Sequence, residues 1–276
     1  MKFYKMEGLG NDFVVTHEVK ENEIQQFKNQ FVSLCDRRRG IGADGIIFVL
    51  SSDKCDFKMR IFNSDGSEPE MCGNGIRCFA LYVNMLNLSE LKKLTIETLA
   101  GVISTELIDN NKVTVNMGRP VLNAPAIPVA QTSGRVLMKE LEIDGNTFKI
   151  NAISMGNPHA VLYVSDEITD KLVLGYGPKI ETHPFFPRKT NVEFIKVLSP
   201  NEIQMRVWER GCGETQACGT GACASVVSGI INGLHEKSVI VHLPGGDLSI
   251  SWGGSEDDSV FMTGPARVAF QGSVEI

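Results

Sequence analysis

Along residues 58–62 the chain reads Lys-Met-Arg-Ile-Phe, polar and apolar by turns, which predicts a strand with one buried face. A polar turn over 63–69 leads to Cys72-Gly73-Asn74-Gly75, after which Ile76, Phe79, Ala80, Val83 and Leu86 fall on one face of a helix. The same order recurs later. Residues 204–208 predict a strand, and 222–231 a helix so rich in Ala, Val and Ile that it reads as buried inside its domain. Further strands are predicted over 46–50, 94–98, 112–117, 160–164, 239–243 and 259–262. Many strands and few helices point to a sheet curled around one central helix in each half.

The recurrence keeps one spacing. Met59-Arg60-Ile61-Phe62-Asn63 matches Met205-Arg206-Val207-Trp208-Glu209, and Cys72-Gly73-Asn74-Gly75 matches Cys218-Gly219-Thr220-Gly221, both 146 residues on. Glu68 matches Glu214, Gly10-Asn11 matches Gly156-Asn157, and Gly118 matches Gly264 at that same offset. One ungapped offset over so long a stretch is the signature of duplication rather than of chance glycine matches. The expected fold class is therefore α+β, with two pseudo-symmetric domains from an internal duplication. Gly118-Arg119-Pro120 must stop a strand and marks the crossing. The N-terminal domain is expected over 1–117 plus 263–276, the C-terminal domain over 118–262, and the active site in the cleft between them.

Charge and cysteine usage narrow the function classes. Lys plus Arg number 27 against 33 acidic residues, a net charge of −6. That leaves no basic excess for phosphate contacts, so no nucleic-acid partner is expected. The opening residues mix polar and apolar side chains, and no long uncharged apolar run follows, so neither a signal peptide nor a membrane span is expected. Seven cysteines, an odd number, read as thiols in a reducing compartment, the cytoplasm.

Cys72 and Cys218 stand out because each begins a Cys-Gly-x-Gly segment at a helix start. Unsatisfied backbone N–H groups and the positive end of the helix dipole favour a thiolate there, and the expectation is a lowered thiol pKa. The same N–H groups hold a carboxylate, and glycine lets a ligand come close. Two such sites facing across a pseudo-two-fold axis would place a thiolate on one side of an α-carbon and a thiol on the other, the arrangement that inverts a stereocentre. Cys35, Cys55, Cys78, Cys212 and Cys223 lack this context and read as small packing residues. Two other classes compete. The cysteines are numerous enough for zinc, but no C-x-x-C pair exists and the spacings fit no common zinc pattern. A thiol–disulfide redox pair would explain the two thiols but not the polar residues around them.

These residues resemble those of diaminopimelate epimerases. The resemblance covers the whole chain and rests on Gly10-Asn11-Asp12-Phe13, Gly40-Ile41-Gly42-Ala43-Asp44, Phe62-Asn63-Ser64-Asp65-Gly66-Ser67-Glu68, Cys72-Gly73-Asn74-Gly75-Ile76-Arg77, Gly156-Asn157-Pro158-His159 and Glu209-Arg210-Gly211 with Glu214-Thr215-Gln216-Ala217-Cys218-Gly219-Thr220-Gly221. It implies conversion of LL- to meso-2,6-diaminopimelate, in lysine and peptidoglycan-precursor synthesis, by a homodimer without metal or other cofactor. Proline and hydroxyproline racemases of similar architecture are the alternative within the fold. The resemblance makes Cys72 and Cys218 the acid–base pair and gives the N–H groups of Gly73-Asn74 and Gly219-Thr220 to the reacting carboxylate. It assigns Asn11, Asn63, Asn157, Asn191, Glu209 and Arg210 to the amino groups and the distal carboxylate. Arg210 has the fork that matches a carboxylate, and Glu209 the charge that matches an ammonium. His159 and Glu209 are the candidates for tuning a thiol. Many family members carry glutamine where Gly45 stands here; water, backbone or a shifted Asp44 would then replace that contact.

Overall fold

The computed structural model describes residues 1–275, the side chain of Asn29 excepted. The chain forms two compact units, one from Met1–Asn116 with the chain from Thr263 onward, the other from Met117–Met262.

The first unit begins with β1 (Lys2–Gly8), β2 (Asn11–Thr16), the helix α1 (Glu21–Cys35), β3 (Gly45–Leu50) and β4 (Phe57–Asn63). The helix α2 (Gly73–Met85) and then β5 (Lys93–Thr98), β6 (Gly101–Leu107) and β7 (Lys112–Asn116) follow. β1 pairs antiparallel with β2, β2 runs parallel to β3, and β3 pairs antiparallel with β4. β4 to β5 is parallel and β5–β6–β7 antiparallel. α2 touches strands from β1 to β7, which requires the sheet to curl around it. Ten of its thirteen residues are buried. α1 covers the outer face, where Ile24 and Phe31 pack with Phe48 and Phe62. All six residues of β3 are buried, because it lies under helices on both faces.

The second unit contains β8 (Val136–Ile143), β9 (Asn146–Ser154), β10 (Pro158–Tyr163), β11 (Asn191–Ser199), β12 (Glu202–Glu209) and β13 (Gly213–Thr215). Between β10 and β11 lie a π-helical turn, Lys171–Tyr176, and the short helix α3 (Gly177–Glu181). α4 (Gly219–Ile231), β14 (Ser238–Leu243) and β15 (Gly246–Ser251) complete it; β16 (Phe261–Pro265) then carries the chain back to β17 (Arg267–Ser273), which pairs with β1. β10 and β11 are parallel, as are β12 and β14, matching β2–β3 and β4–β5 of the first unit. α4 is the central helix, with its residues from Gly219 to Gly229 almost all buried.

The 146-residue offset extends to the secondary structure. α2 and α4 each have thirteen residues and coincide end to end under it. The Arg-Glu matches form equivalent ion pairs: Arg60 binds Glu68 through two bonds of 2.7 and 2.8 Å, and Arg206 binds Glu214 through two of 2.7 and 3.0 Å. Each fork ties a strand to the turn that leads into the central helix. The two units differ where α1 stands. Its counterpart is the π-helical turn joined to α3, interrupted by Gly175, Gly177 and Pro178, residues poor in helix propensity. Neither α1 nor the β8–β9 hairpin was expected from the pattern of the sequence.

Candidate active site

Each cysteine of the repeat is the residue that caps its central helix. Cys72 is extended before α2 and its sulfur accepts the Gly75 N–H at 3.4 Å; Cys218 does the same before α4 with the Gly221 N–H, also at 3.4 Å. Gly10 and Gly156 hold matching left-handed turns, with φ of 83° and 94°, so that Asn11 and Asn157 follow at equivalent places.

In the first unit, Asn11 Oδ1 lies 3.6 Å from Cys72 Sγ and accepts from Asn74 Nδ2 at 3.4 Å. Its other end donates to Asp44 Oδ2 at 2.7 Å. Asp44 and Asp12 both bind Arg37, and Asp12 also binds Lys5. Burial works to raise the Asp12 carboxyl, but Arg37 and Lys5 outweigh it and hold it well below the usual range. Buried Arg77 steadies the helix start, donating to Asn74 Oδ1 at 2.9 Å and to the Gly73 carbonyl at 3.1 Å. Cys72, Asn74 and Asn11 are thus brought together. Asn63 is exposed at the end of β4 and donates to Ser67 at 3.0 Å instead.

Gly45 leaves no room for a side chain. It pairs with Asn63 across β3 and β4, and a Cβ there would lie 2.5 Å from the Phe62 carbonyl oxygen. Asp44 is bound to Asn11 and Arg37.

In the second unit, buried Cys218 lies 3.5 Å from Thr220 Oγ1 and close to Glu209, whose carboxylate takes the Thr215 hydroxyl. The expectation of a lowered thiol pKa is overturned here. Burial pushes the Cys218 thiol well above its ordinary value, and the nearby charges of Glu209 and Glu193 push the same way, outweighing the helix N-terminus. Burial likewise raises Glu209, against the bond from Thr215 and the neighbouring Cys218 thiol. His159 is fully buried, with Nδ1 2.7 Å from Glu193 Oε1 and Nε2 3.0 Å from Asn157 Oδ1. Asn191 donates to the Pro158 carbonyl and accepts the Arg210 backbone N–H, both at 2.9 Å. The Arg210 guanidinium is exposed and reaches the Arg188 carbonyl at 3.4 Å.

Of the other cysteines, Cys35, Cys78 and Cys223 are buried, Cys55 is half-buried and Cys212 exposed. Burial raises the Cys35 thiol to about 11. Among the described residues no group of three or more His, Cys, Asp or Glu is placed to hold a metal ion. Sequence reasoning missed Glu193 and Arg77. The signal for Glu193 was an acid inside the apolar run Val192 to Ile195.

Comparison with known proteins gives three findings. A family model described as Diaminopimelate epimerase matches residues 3–123 and 151–269. The diaminopimelate epimerase of Carboxydothermus hydrogenoformans is 54% identical over 275 residues, 99% of this chain and 98% of that protein. That of Desulfitobacterium hafniense is 52% identical over 278 residues, 99% of this chain and 97% of the relative. Among solved structures, a hydroxyproline epimerase from Agrobacterium vitis superposes with a TM-score of 0.70 at 14% identity, covering 99% of this chain and 91% of that one. A phenazine biosynthesis protein of the PhzF family from Bacillus anthracis reaches 0.69 at 17% identity, covering 100% and 99%. These two share the fold.

Proposed function

The chain belongs to the diaminopimelate epimerase family, and from that premise we propose that it is an isomerase converting LL- to meso-2,6-diaminopimelate in lysine and peptidoglycan-precursor synthesis. The two domains are 1–117 plus 263–276 and 118–262, with the substrate carbon between Cys72 and Cys218. One sulfur, as thiolate, takes the α-proton, and the electron pair left on carbon spreads into the carboxylate. The opposite thiol gives its proton to the other face, so the two cysteines exchange protonation states and no cofactor is consumed. The N–H groups of Gly73-Asn74 and Gly219-Thr220 hold the carboxylate as its charge grows. Asn11, Asn63, Asn157, Asn191, Glu209 and Arg210 hold the ammonium groups and the distal carboxylate. His159 and Glu209 tune the Cys218 thiol.

The observation that carries this reading is the duplicated cap: each repeat places its cysteine sulfur on the N–H groups of a buried helix start. The raised Cys218 thiol suits the proton donor when the chain awaits a substrate whose proton Cys72 removes. The protein is further proposed to work as a cytoplasmic homodimer, which sedimentation of the purified chain tests. No helix among the described residues is long and apolar enough to cross a membrane.

Deuterium incorporation at the α-carbon of diaminopimelate in heavy water tests the reaction, with proline and hydroxyproline as controls. Exchange into diaminopimelate alone is expected, and exchange into proline alone would move the chain to the racemases. Cys72→Ala and Cys218→Ala should each abolish epimerisation in a folded protein; near-normal turnover by either would sink the two-base scheme.

A further inference from the structure

The repeat places different side chains behind its two equivalent asparagines. In the first unit Phe13 and Ile47 occupy the positions that His159 and Glu193 occupy in the second. Ile47 and Glu193 lie against matching points of the central helices. A Cβ on Gly75 would sit 3.1 Å from the Ile47 side chain, and one on Gly221 would sit 2.7 Å from Glu193 Oε1. An apolar side chain therefore serves this position well in one unit. In the other, a fully buried carboxylate stands there, and its Oε2 has no hydrogen-bond partner among the described residues. Such a buried, unsatisfied oxygen is destabilising, so packing is a poor reason for the acid.

Hydrogen-bond direction supplies a better one. Asp44 accepts from Asn11 Nδ2, which leaves Asn11 Oδ1 turned towards Cys72 as an acceptor. In the second unit Asn157 is held by its oxygen, which faces His159 Nε2, while His159 Nδ1 faces Glu193 Oε1. Each ring nitrogen thus faces an oxygen, one of a buried carboxyl group and one of an amide. The Glu209 carboxylate on β12 faces the same ring, and Cys218 on α4 faces Glu193 and Glu209.

We propose that Glu193 is a positioning residue: acting through His159 it fixes the Asn157 amide with its Nδ2 donor outward, opposite in polarity to Asn11. An outward acceptor suits an ammonium and an outward donor a carboxylate. The duplicated asparagines thereby distinguish the two kinds of charged group that a diamino-dicarboxylate presents, which rests on the substrate reading above. In this arrangement both ring nitrogens donate, Nδ1 to Glu193 and Nε2 to Asn157; without the Glu193 charge one proton suffices, and the Asn157 amide is released to turn over.

The test uses the full chain labelled with nitrogen-15 histidine. The His159 ring, identified by its loss in His159→Gln, should show both nitrogens protonated in the wild type and only one in Glu193→Gln. In steady-state assays with diaminopimelate, Glu193→Gln should lose at least tenfold in kcat/KM, chiefly through KM. Asn157→Ala should lose a similar amount, and the double variant no more than the worse single one, because both remove one arrangement. A singly protonated wild-type ring, unchanged kinetics of Glu193→Gln, or losses that multiply in the double variant would each overturn the proposal. Should Glu193→Gln fail to fold, the wild-type spectrum still decides. A wild type that leaves diaminopimelate untouched would defeat the substrate reading instead, while the spectrum still judges Glu193.

Discussion

At Cys218 two local influences compete, and burial prevails over the helix N-terminus. The residue is 5% exposed and two carboxylates lie close, so the neutral thiol is favoured in the fold. The sign for stability follows from that shift. A folded thiol raised above its unfolded value of 9.0 contributes its full stability below that pH and loses it as pH rises beyond. In the free protein, the ultraviolet absorbance of thiolate contributed by Cys218, taken as wild type minus Cys218→Ser, should therefore appear only well above pH 9. Alkylation at mildly alkaline pH should mark exposed Cys212 long before Cys218. A Cys218 that alkylates as fast as Cys212 would show that the helix dipole governs the thiol after all. The motif that made this cysteine conspicuous was readable from spacing alone. Its protonation was not, because Glu193 and Glu209 reach it from β11 and β12, 25 and 9 residues away in sequence.

At the scale of elements, close backbone approaches decide what each position tolerates. Placing glutamine at Gly45 should not improve catalysis. Its Cβ meets the Phe62 carbonyl, so Gly45→Gln must push β3 from β4 and should cost about 1–3 kcal/mol of stability, read by denaturant unfolding. Unchanged stability with a higher kcat/KM would show that the strands move apart freely. Gly229, within α4, lies directly on the His235 ring, and a Cβ there would overlap ring atoms. Although alanine is the better helix former, Gly229→Ala should destabilise by roughly 1–3 kcal/mol, since overpacking outweighs a propensity gain of about 1 kcal/mol. Alternation located β4 and β12, and spacing located α2 and α4. α1 was equally legible, since Ile24, Phe27, Phe31 and Leu34 keep helical spacing, and it was missed; the β8–β9 hairpin escaped because β8 is exposed along much of its length.

For the whole molecule, acid should act in two stages. Burial holds the His235 imidazole below its unfolded value of 6.5, so the fold prefers it neutral, and the stability this contributes is lost as pH falls through 6.5. Asp12 is held below its unfolded value of 3.8, and its contribution is lost as pH falls below that point. The unfolding midpoint should decline first near neutrality and again at strongly acid pH, and His235→Leu should remove the first decline only. A first decline that persists in His235→Leu would assign it to another group. The sequence by itself determined the duplication, the two cysteine caps and the family, because all three rest on local spacing and a repeated order that survive without coordinates. Only the tertiary structure decided which face of β11 lies beneath the first turn of α4, and so that Glu193, rather than another acid, meets His159. It also set the opposite hydrogen-bond polarity of Asn11 and Asn157. Two identical Gly-Asn motifs carry no mark of that difference, which arises from partners on other strands, Asp44 in one unit and His159 in the other. Hydrogen bonding and burial act through space, and sequence separation does not record them.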